Sequence, residues 1–281
     1  MRAYRSDLAL EAAENLGFGQ KIFKKISGVR AEALQRSGYE VTDIHVENTE
    51  GAEQVGKPIG RYVTVDLRPY FLREADFFHR GTECLASILR EVLPPQASLL
   101  VAGIGNRALT ADAVGPLSLE SLLVTRHMVR TLPQQFSQFA PVSALAAGVA
   151  GSTGMETLEL LRGVTAEVKP AAVIAIDALA ASNRERLCAT VQIGSTGLIP
   201  GSGVGNHRAA VNEETLGVPV IAMGVPTVME LPDENDSAVP LFVTPRDIDS
   251  RVRELSRLIG YSITLATQPE LTVEDITGLL S

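Results

Sequence analysis

The chain has 281 residues, 45% hydrophobic and 21% charged, a balance that supports one sizeable folded core. Its formal net charge of −8 argues against a nucleic-acid partner, which selects a basic surface. No run of 18 apolar residues occurs, so no membrane span is expected. The opening stretch "MRAYRSDLALEAAENLG" lacks the apolar centre of a signal peptide. Cys84 and Cys188 stand in unrelated contexts, which argues against a disulfide framework or a zinc site and points to the reduced cytoplasm.

Residues 8–36 place apolar and charged positions at roughly helical spacing. Within "RSDLALEA", Ser6 or Asp7 suits a helix cap, with Leu8, Leu10 and Ala12 on the apolar face. "YEVTDIHVE" and "GRYVTVDL" read as strands; in the second, Val63, Val65 and Leu67 alternate with Tyr62, Thr64 and Asp66. "ADFFHRGTECLASILREVL" reads as a helix stopped by Pro94 and Pro95. The short apolar runs "SLLVAGIG", "PAAVIAIDA", "VPVIAMG" and "PLFV" suit strands buried on both faces of a parallel sheet. Helical patterns over 113–130 and 154–168 separate them, and a last helix is expected from Thr244, with Ile248, Val252, Leu255 and Ile259 as its stripe. The expected fold is a single α/β domain over residues 1–281, a mostly parallel or mixed central sheet flanked by helices with an N-terminal β-containing elaboration.

Two glycine-rich loops invite a nucleotide reading. "GIGNRA" (103–108) follows a strand and fits G-x-G-x-x-[GA]. A dinucleotide site also wants an immediate helix and an acid about twenty residues on, whereas Thr110, Asp112 and Pro116 delay the helix and "VTRH" occupies the later position. "GSGVGNHR" (201–208) lacks the Gly-Lys-[Ser/Thr] ending of a P-loop. Tight connection at strand ends is the plainer role of both.

Two acids stand out by position. Asp177 closes the run "AAVIAID", and Asp112 follows "LLVAGIGN" within "LTADAVGP". Ligands of open α/β sheets bind outside the carboxyl ends of the strands, so both can face one crevice. Carboxyl groups sharing a site do not both ionise easily; one keeps a proton while the other serves as base toward water. The same acids can instead bind a divalent metal with a third ligand such as His127 or His207, or each can simply cap a helix. "DSA" at Asp236–Ala238 imitates a pepsin-like motif but lies in the acidic stretch "LPDENDSAVP" and reads as a solvated turn. No G-x-S-x-G elbow or H-E-x-x-H occurs, and Cys188, on an expected helix, reads as core.

Taken in order, "RSDLALEA", "GRYVTVDL", "GIGNRALTADAVGP", "LLVTRH", "PVSALAAGVAGSTGMET", "VIAIDALAA", "STGLIPGSGVGNHR", "NEETLGVPVIAMGVPTV" and "FVTP" closely resemble the germination protease family. The resemblance runs from about residue 4 to about residue 248. It implies an atypical aspartic endopeptidase with a fold similar to hydrogenase maturation proteases, needing no cofactor and no metal. The substrates implied are small acid-soluble spore proteins, the assembly a homotetramer, and the location the cytoplasm of the forespore or spore core; no nucleic acid or membrane partner is expected. The family's proposed catalytic acids fall on Asp112 and Asp177. Asn106 is a candidate to orient substrate or a carboxyl group, and Gly201, Gly203 and Gly205 are candidates to present backbone donors to an oxyanion. The resemblance also implies a zymogen. Asp7–Leu8–Ala9 looks like the acid–apolar–Ala substrate site, so cleavage at Asp7–Leu8 would make Met1–Asp7 a propeptide, shorter than the family leads one to expect. Arg107, Ala111 and Ala147 depart from the family pattern beside the expected site, while both aspartates are kept.

Overall fold

The computed structural model describes residues 6–18, 27–95, 98–205, 208–231 and 241–281. His207, the Asp236–Ala238 turn and the first five residues of the expected propeptide lie outside them. The strands are β1 (Val29–Arg36), β2 (Tyr39–Val46), β3 (Gly60–Asp66), β4 (Leu99–Ile104), β5 (Val142–Gly148), β6 (Ala172–Ala180), β7 (Thr190–Gly194), β8 (Val220–Leu231) and β9 (Leu241–Val243). Eight of them run in the order β1-β2-β3-β7-β8-β6-β4-β5, and β9 pairs with the far end of β8. The sheet is mixed: β5, β4, β6 and β8 are parallel, whereas β7, β3, β2 and β1 continue it antiparallel.

Alternation along the parallel strands sends successive side chains to opposite faces. Leu99, Val101, Ile174, Ile176 and Met223 join the main core, beneath the helices Phe77–Val92, Val114–Leu119 and Ile248–Thr267. Leu100, Ala102, Val173, Ala175 and Val220 face the other way, onto Leu161 of the helix Thr157–Val168. Both faces are therefore covered, which is why these strands read as continuous apolar runs. Asp177 has the parity of Val173 and Ala175 and so sits on the second face.

Several expectations are corrected. Among the described residues of the 8–36 stretch, only Ala9–Asn15 are helical; residues 29–36 form β1, held in a hairpin by the Ser37–Gly38 turn, where both residues have positive φ. Neither Ser6 nor Asp7 caps that helix, which starts without a side-chain cap and buries Ala9, Glu11 and Ala13. The 113–130 pattern splits into Val114–Leu119 and Arg126–Thr131. Tertiary bonds replace helical ones at the break: the N–H of Leu123 donates to Thr264 Oγ1, and that of Thr125 to the carbonyl of Val142. The run "PLFV" gives the partly exposed antiparallel β9, not a buried parallel strand. The last long helix begins at Ile248, four residues after Thr244, whose hydroxyl bonds the Pro245 carbonyl. β5, β7 and the helix Val273–Leu280 carry no pattern that announced them. Cys188 follows a short turn and is not helical; it and Cys84 are buried free thiols, both pushed up to about 12 by burial. Among the described residues no helix is long and apolar enough to cross a membrane.

Candidate active site

β6 does not stop at Asp177 but runs on to Ala180, so the acid lies inside the strand, in register with Gly224 of β8. Its carboxyl is 4% exposed. Asp177 Oδ1 accepts the N–H of Ala178 at 2.9 Å, and the N–H of Gly201 also donates to this carboxyl. Asp112 ends the short turn Thr110–Asp112 that follows β4 and is half-buried. Its Oδ2 accepts the N–H of Asn106 at 2.8 Å. Neither acid caps a helix; the next helix after Asp112 is led by Ala113 with no side-chain cap.

Close approach fixes the loop that carries Asp112. Gly105 has φ +114°, and a Cβ there would lie 2.1 Å from the backbone oxygen of Asp112 and 3.0 Å from its Oδ1. The turn is held from the other side by Thr227 Oγ1, which donates to the carbonyl of Ala111 at 2.6 Å. The glycine of "GIGNRA" therefore lets the loop fold back on an aspartate rather than cradle a phosphate.

Asp112 and Asp177 line one cavity of about 270 Å³ whose walls are otherwise mainly apolar, with Ile104, Leu109, Val149 and Leu179 among them. Burial first, then the charge of Asp112, pushes the Asp177 carboxyl up to about 7, against the pull of the Ala178 and Gly201 N–H groups. Burial also raises Asp112, opposed by the Asn106 N–H and the positive charge of Arg208. The more buried Asp177 is thus the later of the two to ionise, and one proton on the pair is the favoured state toward neutrality.

A second cavity of about 640 Å³ adjoins the first and shares Asp7, Asp177, Gly201 and Gly203 with it. Between them lies the N-terminal segment. Asp7 Oδ2 accepts the N–H of Ala180 at 2.9 Å, and Oδ1 accepts the hydroxyl of Ser202 at 2.7 Å. The N–H of Asp7 donates to the carbonyl of Ala180 at 3.0 Å. Leu8 is fully buried with Ala181 and Leu187, beside Leu179 and Met229. Three residues after Leu8, the buried carboxylate of Glu11 accepts the N–H groups of Ser182 and Asn183, the Ser182 hydroxyl, and the Arg186 guanidinium at 3.0 Å. Burial alone would raise Glu11, but these donors, with Ser6, hold it below the ordinary carboxylate value.

Every described candidate except His127 therefore converges on one region. Asn106 contributes through its backbone N–H, its side chain being turned to the N–H of Ala108. Gly201 and Gly205 flank the turn Ser202–Val204 at the cavity wall. His127 is exposed on the helix Arg126–Thr131, and among the described residues no three His, Cys, Asp or Glu side chains are grouped to hold a metal ion. Of the departures from the family pattern, Arg107 pairs with Glu120 away from the acids, Ala111 lines the cavity and Ala147 is buried in the sheet. Sequence reasoning missed Ser202, Gln192, Lys57 and Arg208; the only signal for the first two was that a substrate-like Asp-Leu-Ala segment needs groups that fit it.

Two carboxyl groups line one largely apolar cleft beside parallel strands of a mixed sheet, which defines the class of the chain as an α/β protein with an acidic pair in its crevice. The germination protease family model matches residues 6–276, and the chain belongs to this family of peptidases of spore germination. The germination protease of Clostridium perfringens (strain ATCC 13124) is 35% identical over 323 aligned positions, covering 99% of each chain. That of Bacillus velezensis is 41% identical over 285 positions, covering 98% of this chain and 76% of the relative. Among solved structures, the [NiFe] hydrogenase maturation protease HycI from Thermococcus kodakarensis matches with a TM-score of 0.38 at 20% identity, over 63% of this chain and 98% of that one.

Proposed function

We propose that the chain is an endopeptidase that cleaves small acid-soluble spore proteins following an acidic residue, with Asp112 and Asp177 as an aspartate pair sharing one proton. The observation that carries this reading is the pairing of two raised carboxyls in one apolar cavity, one of them near 7. Ionised Asp112 takes a proton from water as the water oxygen attacks the scissile carbonyl carbon. Protonated Asp177 gives its proton to the carbonyl oxygen, leaving a neutral tetrahedral diol. On collapse the C–N bond breaks, the amine leaves with the proton held by Asp112, and Asp177 recovers its own from the diol. The atoms balance as peptide plus water giving acid plus amine.

The chain is also proposed to be a zymogen cut at Asp7–Leu8; the lining of both cavities by Asp7, beside Asp177, supports this reading. The test of the pair is direct. Purified protein is incubated with a small acid-soluble spore protein and the fragments are identified by mass spectrometry. Asp112→Asn and Asp177→Asn are each expected to lower kcat by several orders of magnitude in folded protein. Near-normal cleavage by both folded variants removes the aspartate pair from the reaction. N-terminal sequencing of active enzyme tests the zymogen: a chain starting at Leu8 is expected, and an uncut end at full activity overturns it.

A further inference from the structure

The segment Asp7–Leu8–Ala9 is held by the fold as a peptide ligand would be, residue by residue. The Asp7 carboxylate is met by two donors, the Ser202 hydroxyl and the Ala180 N–H. It occupies the space that a side chain at position 203 would fill: a Cβ on Gly203 would stand 2.1 Å from Asp7 Oδ2 and 2.5 Å from the Ala180 Cβ. Leu8 enters an apolar nest of Leu179, Ala181, Leu187 and Met229. The side chain of Gln192 straddles the bond between the two: its Nε2 donates to the carbonyl of Asp7 at 3.2 Å, while its Oε1 accepts the N–H of Ala9 at 2.7 Å. The backbone of Asp7 pairs with Ala180, at the end of the strand that carries Asp177 three residues earlier.

We propose that Ser202, the Ala180 N–H and the bare Gly203 form the pocket that selects an acidic residue before the scissile bond, and that Gln192 holds the substrate backbone across that bond. This assignment rests on the endopeptidase reading above. The Ala180 N–H and the Ser202 hydroxyl each donate to one oxygen, so an ionised acid receives two charge-assisted bonds, whereas an amide has one oxygen to offer and makes only neutral, weaker bonds. Lys57, half-buried on the wall of the larger cavity, carries a charge opposite to that of an acid; burial lowers its ammonium, and the charge of Asp7 opposes that shift. The apolar nest accepts Leu8 or a residue of similar bulk. Gln192 reads only main-chain groups, so it sets the register without preference for the acid, and its donor polarises the carbonyl that water attacks.

The experiment compares wild type with three variants, each activated and its N-terminus at Leu8 verified by sequencing, on two fluorogenic peptides that differ at one position, one containing Asp-Leu-Ala and the other Asn-Leu-Ala. Wild type is expected to favour the Asp peptide in kcat/KM. Ser202→Ala should lower the Asp-to-Asn ratio roughly tenfold or more, the scale of a lost hydrogen bond to a charged group, with the Asn peptide changed little. Ser202→Thr, which keeps the hydroxyl, should restore the ratio and so excludes a general disturbance of the loop. Gln192→Ala should lower kcat/KM for both peptides by a similar factor of about ten or more and leave the ratio alone. An acid-selective wild type whose ratio survives Ser202→Ala overturns the pocket alone. A Gln192→Ala variant that cleaves both peptides at the wild-type rate overturns the backbone clamp. Absence of cleavage by wild type at either peptide defeats the endopeptidase reading, and the pocket with it.

Discussion

Replacing Asp177 by Asn should make the protein more stable, increasingly so as pH rises. An Asp in an unfolded chain titrates at its ordinary 3.8, whereas burial and the neighbouring Asp112 move Asp177 to about 7. The folded state thus holds a proton that the unfolded state has released over the window from about pH 4 to about pH 7. Its contribution to stability is fully present below the unfolded value and is lost as pH rises through the folded one. A shift of this size corresponds to about 4 kcal/mol at its full extent, since each unit is worth about 1.4 kcal/mol. The carboxyl is 4% exposed, so solvent screening removes little of it. Asparagine keeps the shape, accepts the Ala178 N–H through its one oxygen, and does not ionise. Urea unfolding of wild type and Asp177→Asn at pH 5, 6, 7 and 8 should show the variant's advantage growing by about 2–3 kcal/mol across that range. Parallel stability curves over the same range would refute the raised carboxyl and, with it, the electrostatic basis assigned to the pair.

The same groups set the pH dependence of the reaction. Cleavage of a fixed peptide should fall as pH rises through about 7, when Asp177 loses its proton, and fall again in acid as Asp112 gains one; a kcat unchanged from pH 6 to 9 contradicts a shared proton. Gly105→Ala should cut activity more than tenfold and cost roughly 1–3 kcal/mol, because the new methyl strikes the Asp112 backbone at a positive φ; kinetics paired with a thermal melt tests it. Glu11→Ala should destabilise by about 3 kcal/mol, since it strands Arg186 and the Ser182 and Asn183 N–H groups in a buried site. Because Glu11 is held below its ordinary 4.5, its contribution is present above that value and fades as acid is added below it. A variant matching wild type in urea at pH 7 would show that Glu11 does not anchor the N-terminal helix.

Much of the fold was written in local pattern. The runs around Val101, Ile174 and Ile221 are apolar on both faces because helices cover both sides of the sheet, and that composition announces itself in any window. The alternation of Val63 and Val65 with Tyr62 and Thr64 did the same for β3. Other elements carried no such mark. "VRAEALQR" forms a strand because β2 offers it eight residues of antiparallel register, and tertiary pairing overrides a helical spacing. The helix expected over 113–130 breaks where Thr264 and Val142 take up the N–H groups of Leu123 and Thr125, partners more than fifteen residues away that no local window contains.

Position along the chain was enough to select Asp112 and Asp177, since acids at or near the ends of apolar strands are exposed to the crevice of a parallel sheet. It could not decide between capping, metal binding and proton sharing, because those roles differ only in what surrounds the carboxyl. Burial, which raises both acids, and the charge of Asp112, which raises Asp177 further, are properties of the packed cavity. The N-terminal Asp-Leu-Ala shows the division most plainly. Its residue types already matched an acid–apolar–Ala pattern, but the groups that fit it, Ser202, Ala180 and Gln192, lie more than 170 residues away. Local composition thus determined the apolar strands and the identity of the two acids. The tertiary structure decided how deeply each acid is buried and where the segment Asp7–Ala9 lies, because both depend on groups brought together only when the sheet closes its core.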